Sequence, residues 1–192
     1  GGWVVLQNDM IVARMNHAVA TVGDNMYLIG GMDNFNGNIL DSVEVFQPST
    51  KSSSIGPTLP VPIYEMSVVV VLERYVIVSG GENSRKIGDS FILDTNQRNQ
   101  EWESINILLE TPRSYHTAVV LNNNMLCVCG GKDSNDDPLD TIEMISFQDL
   151  TGISIQYATR KTNVIGINDT PWSSTPDRLG QQSNRKGGTT SR

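Results

Sequence analysis

The stretch Met125–Gly131, MLCVCGG, ends a short apolar run on two glycines. MYLIGG does the same at Gly30 and Gly31, and YVIVSGG at Gly80 and Gly81, so the pairs recur every 50 residues. A repeat of this length marks a chain assembled from tandem supersecondary units.

Two strand-like runs lead into each pair: HAVATV with MYLIGG, MSVVVVL with YVIVSGG, and HTAVVL with MLCVCGG. Short polar turns separate them, as between antiparallel neighbours. The first run of each set is nearly continuous in Val, Ala and Leu, which predicts a strand covered on both faces. A polar loop and a third run follow each pair (DSVEVF, DSFIL, DTIEMISF), and then a weaker fourth (SSSI, EWESI, GISIQY). Four antiparallel strands per repeat predict an all-β chain, a partial β-propeller of four-stranded blades.

The expected blades run over about 11–57, 63–106 and 114–157, with residues 1–6 as the outer strand of a preceding blade and 1–159 as one segment. Residues 160–192, rich in Ser, Thr, Gly, Asn and Arg without periodicity, are expected to form a disordered tail or linker around Trp172. Three blades and a fraction fall short of the four to eight that close a ring. Further blades or self-association are therefore expected. At Gly30, Gly31, Gly80, Gly81, Gly130 and Gly131 a side chain should collide with neighbouring backbone. Gly80→Val or Gly130→Val is accordingly expected to destabilise the blade far more than Arg113→Ala.

The pattern resembles the kelch-repeat family. Trp3 precedes Arg14 by 11 residues and His17 by 14, and Trp102 stands the same distances before Arg113 and His116. The middle repeat departs from this, with Ser52 at the Trp position, no Arg near Tyr64, and Met66 in place of His. The resemblance covers residue 3 to about 157. It implies a propeller whose loops, after each second strand and before each first, gather around a central channel and bind a protein or peptide partner. On this chain that face carries Arg14, Asn16, Asn34, Tyr64, Arg85, Arg113, Tyr115 and Lys132. Arg and Tyr are the residues in which interfaces concentrate their energy. The competing reading makes Arg14 and Arg113 structural. The resemblance further implies a non-enzymatic scaffold, in some members the recognition half of an adaptor. An alternative within it is the propeller of a galactose-oxidase-type copper enzyme or another kelch-fold enzyme, such as one processing sialic acid.

Charge sharpens the choice of partner. Residues 1–159 carry 8 basic and 19 acidic side chains, a net of about −11, whereas 160–192 carry 6 basic and 2 acidic. Such an acidic body repels a phosphate backbone, which argues against nucleic acid. No run approaches the roughly 18 apolar residues of a membrane span. Cys127 and Cys129 alternate along one extended run, poorly placed to bridge one another and too few for a zinc site. They suit a reducing, cytoplasmic setting. The two histidines occupy equivalent repeat positions, which points to structural roles. The loop KDSNDDPLD has calcium-like spacing but carries Pro138 where a Gly is required and Met144 where a Glu is. No metal or cofactor is expected.

Overall fold

The structure is a computed structural model and describes residues 1–6, 10–33 and 37–152. Asn34, the expected fourth strand of the third repeat from residue 153 onward, and the tail with Trp172 lie outside the described residues.

The first repeat forms β1 (Ala18–Val22), β2 (Asn25–Ile29), β3 (Val43–Gln47) and β4 (Ser52–Ile55), hydrogen-bonded in that order and antiparallel throughout. The second forms β5 (Ser67–Val71), β6 (Tyr75–Ser79), β7 (Ser90–Asp94) and β8 (Trp102–Ile105) with the same topology. The third holds β9 (Thr117–Leu121), β10 (Met125–Cys129) and β11 (Ile142–Ser146). This is the arrangement of a partial propeller. In the three-residue hairpin loops 72–74 and 122–124, the first two residues of each have positive φ, and the Arg74 and Asn124 amides close the turns onto the Val71 and Leu121 carbonyls at 3.2 and 3.1 Å.

The first strands are less covered than expected. It is β2 and β6, second in their sheets, that are buried over most or all of their length, whereas β1 and β9 alternate between buried or half-buried and exposed. β1 and β9 belong to the end blades, each of which lacks a neighbouring sheet on one side among the described residues. Residues 1–6 form no strand either, and Trp3 is fully exposed, because no described strand lies beside them to complete a ladder. Its counterpart Trp102 is buried, with Nε1 donating to the Pro57 carbonyl at 3.0 Å. One core cluster, including Ile29, Val43, Val78 and Trp102, fills the junction of the first two blades. A second gathers Ile77, Leu126, Phe147 and Leu150.

After β11 the chain turns into α1 (Phe147–Thr151), where continued extended structure was expected through Phe147. Ser146 caps it by accepting from the Asp149 amide, and Gly152 closes it in the left-handed region. Phe147 is thereby buried against Tyr75, ring centroids 5.3 Å apart. Cys127 and Cys129 are free, and burial pushes the Cys127 thiol up. Among the described residues no helix is long and apolar enough to cross a membrane.

Candidate interaction face

The glycine pairs position this face. The Gly31 amide donates to the Ile63 carbonyl at 2.9 Å and the Gly81 amide to the Arg113 carbonyl at 2.8 Å, so the first two pairs each hand a hydrogen bond to the chain entering the next blade. All six glycines have positive φ. A Cβ on Gly80 would stand 2.5 Å from His116 Cε1 and 2.8 Å from the Arg113 carbonyl oxygen. Gly130 differs, its nearest such neighbour being the Leu139 carbonyl at 3.5 Å.

Just beyond the pairs, Met32, Glu82 and Lys132 bridge to Met15, Tyr64 and Ser114, the residues entering each first strand. The residue after each of these, Asn16, Glu65 and Tyr115, takes a left-handed conformation with φ of 53, 56 and 56°. The Glu65 amide donates to the Asn16 carbonyl at 2.9 Å and the Tyr115 amide to the Glu65 carbonyl at 3.1 Å. Three blades thus present one hydrogen-bonded arc.

Side chains elaborate it. The buried Glu65 carboxylate accepts from Asn16 Nδ2 and Ser114 Oγ, each at 3.2 Å. A hydrogen bond to Glu65, with burial and the nearby negative charge, raises the Tyr115 pKa. Lys86 pairs with Glu82 and, at 3.0 Å, with Asp136 of the third blade. Burial opposes its charge, but the two carboxylates outweigh that and hold its pKa above the ordinary lysine value. Tyr64 is pushed up to about 12 by burial and by Glu82. Tyr115 is 57% exposed, with Lys132 Nζ 5.3 Å from its ring centroid. Asn16 and Arg85 are also exposed and Tyr64 half-buried. The loop brings Asp133 into service as a turn cap, its Oδ1 accepting from the Asn135 and Asp137 amides at 2.8 and 3.1 Å. Sequence reasoning missed Glu65, Glu82, Lys86 and Ser114.

Arg14 and Arg113 must be removed from the contact set, for both side chains are wholly buried. Arg14 donates to the Gly30 carbonyl at 2.8 Å and pairs with Glu44 at 2.8 Å. Glu44 also accepts from the Ile11 and Val12 amides at 2.7 and 2.9 Å. Arg113 repeats this with the Gly130 carbonyl at 2.9 Å, with Glu143, and through Glu143 with the Glu110 and Thr111 amides. Each arginine ties the incoming linker to its blade's third strand. Burial works against the Glu44 charge, but Arg14 and the two amides prevail and lower its pKa.

His17 and His116 enter the first strands at equivalent places. Burial, followed by lesser charge effects including Arg113, leaves the His116 pKa at about 4. The unfolded chain, with a histidine near 6.5, therefore binds more protons across this window, so stability should fall as pH drops from 6.5 toward 4. The loss attributable to His116 is at most about 3 kcal/mol. Urea midpoints measured at pH 7, 6, 5 and 4 should show it, and His116→Gln should flatten that part of the profile.

Comparison with known proteins places these features in a lineage. The profile of the KLHDC2/KLHL20/DRC7 Kelch-repeats domain matches residues 4–163. The serine/threonine-protein phosphatase BSL2 of Arabidopsis thaliana is 28% identical over 66% of this chain and 13% of its own length. The F-box/kelch-repeat protein At1g51550 of the same plant is 25% identical over 77% of this chain and 34% of its own. Alpha-scruin of Limulus polyphemus is 26% identical over 73% of this chain and 16% of its own. The chain thus spans between 13% and 34% of the length of these relatives. With the 50-residue period, the blade topology and a profile match across most of its length, the chain belongs to the kelch-repeat family, whose domains generally serve protein interaction.

Proposed function

We propose that this chain is a non-enzymatic recognition module that takes a protein or peptide segment on the face carrying the Asn16–Glu65–Tyr115 arc. The observation that carries this reading is the setting of Tyr115: its backbone is pinned to Glu65, its ring is exposed, and Lys132 lies against it. A rigid aromatic beside a cation loses little side-chain entropy on binding and suits an interface anchor. Tyr64, Arg85, Asn16 and Glu82 supply a mixed-charge rim. Two of the relatives carry a second activity in their names, a phosphatase and an F-box. That supports a role as the recognition part of a larger protein, such as an adaptor, and the free Cys127 and Cys129 support a reducing cytoplasmic setting.

The copper-oxidase alternative requires Tyr, His and Cys groups converging on one point. His17 and His116 lie in different blades, and no group of three or more His, Cys, Asp or Glu converges among the described residues. The described residues thus lend this alternative no support, and the recognition reading is preferred.

Peptides selected by phage display against the 192-residue chain should bind at least ten-fold more weakly to Tyr115→Ala and Lys132→Glu. Arg98→Glu, in the loop at the opposite end of the second blade, should bind like the parent. Selected peptides indifferent to Tyr115 and Lys132 would rule out this face.

A further inference from the structure

Glu65 stands apart from the other glutamates that tie one segment of this chain to another. Glu44 pairs with Arg14, Glu143 with Arg113 and Glu82 with Lys86. Glu65 is only 8% exposed, yet among the described residues its carboxylate makes no ion pair. Its donors are neutral: Asn16 Nδ2 on one oxygen, Ser114 Oγ on the other, and the Tyr115 side chain. Ser114 has a single hydroxyl hydrogen, and a Glu82 oxygen lies 3.5 Å from the same Oγ, so the hydroxyl can serve only one of the two carboxylates at a time. Lys86 cannot supply the missing charge, being held between Glu82 and Asp136. Taking a carboxylate out of water without a counter-charge costs stability.

The fold does not require a carboxylate at this place. Asn16, Glu65 and Tyr115 occupy one position of three successive repeats, share a left-handed φ of 53, 56 and 56°, and are linked in series by backbone hydrogen bonds. Neutral side chains serve in the other two, so the backbone reaches this geometry without a charge. What Glu65 adds is an acceptor for a cation, in contact with two exposed side chains, Asn16 and Tyr115. Tyr64 bonds to the neighbouring Glu82 as Tyr115 does to Glu65. Aromatic rings set beside carboxylates favour a lysine or arginine head group over a neutral or anionic one.

We propose, resting on the recognition reading above, that the partner segment carries an arginine or lysine whose head group Glu65 accepts, with the Glu82 carboxylate beside it. Both carboxylates come within 3.5 Å of one hydroxyl, so the planar fork of an arginine suits them better than the point charge of a lysine. Lys132 acts through the Tyr115 ring it lies against, whereas Glu65 acts on the partner's charge. The acidic body, with a net of about −11 over residues 1–159, draws such a segment in and turns acidic ones away.

Peptides selected by phage display against the 192-residue chain, and weakened by Tyr115→Ala, should share an arginine or lysine. Replacing that residue by glutamine should weaken binding about ten-fold or more on the parent chain, but about two-fold or less on Glu65→Gln, which keeps the side chain's size and removes its charge. Glu65→Asn, which puts the residue type of the first repeat at this position, gives a second chain for the same comparison should circular dichroism show Glu65→Gln unfolded. Added sodium chloride should weaken binding to the parent more than to either variant. Peptides that need Tyr115 but share no basic residue would overturn the proposal and leave the recognition reading standing. So would a basic residue that matters equally on the parent and on the Glu65 variants. Peptides indifferent to Tyr115 would overturn both.

Discussion

Arg14→Ile alone is expected to cost about 3–5 kcal/mol, because it leaves the Glu44 carboxylate buried without its cation. The chain itself contains the remedy. At the Arg position of the second repeat stands Ile63, at the Glu position Phe91, and both lie in the apolar cluster between the first two blades. The residue matching Ile11, whose amide Glu44 accepts, is Pro60, which has no amide hydrogen to satisfy. Three positions thus change together, and the replacement of an ionic solution by an apolar one need cost nothing when every partner is exchanged. Combining Arg14→Ile with Glu44→Phe and Ile11→Pro should recover most of the loss. Urea unfolding of the single and triple variants checks it. If the triple variant were no more stable than Arg14→Ile, the equivalence of the two solutions would be wrong.

The second large effect separates two glycines that look identical in sequence. Gly80→Ala should cost about 3–5 kcal/mol, combining left-handed strain with overlap against the Arg113 carbonyl and the His116 ring. Gly130→Ala, at nearly the same φ but with no atom closer than 3.5 Å, should cost only the strain, about 1–2 kcal/mol. The expectation that both would outweigh Arg113→Ala gives way here. Arg113 is as buried as the pair partner of Glu143 as Arg14 is with Glu44, and its truncation belongs with the severe changes. Thermal melts of the three variants should rank Gly80→Ala and Arg113→Ala together, below Gly130→Ala. Equal losses at the two glycines would show that crowding by the next blade is not what the first glycine of each pair avoids.

The strands and turns were legible because each is a local event: an apolar run, a polar turn and a glycine pair can be read within ten residues. The repeat then corroborated each instance with two others. α1 escaped because MISF continued the strand pattern, although Ser146 and Asp149 carry the spacing of a helix cap. The candidate face was legible only in part. Tyr115 and Lys132 stood out as exposed types in the right loops, whereas Glu65, Ser114, Glu82 and Lys86 meet across 4 to 49 residues of chain and leave no periodic trace. Arg14 and Arg113 were misjudged as contacts because the carboxylates that bury them, Glu44 and Glu143, lie 30 residues away in the third strands. In the middle repeat the Phe91 that answers Ile63 lies 28 residues on, for the same reason.

The alternation of ionic and apolar junctions bears on how such an array can be recombined. Backbone geometry would let any repeat be exchanged for another, since strand order and glycine placement agree. The side chains forbid a crossover between linker and third strand: joining the 57–63 linker to β11 would confront Ile63 with Glu143 and strand a charge inside the protein. The heritable unit in this chain is therefore the linker together with the three strands that follow it, and gene fusions or shuffled libraries that respect that boundary should yield folded propellers where others fail.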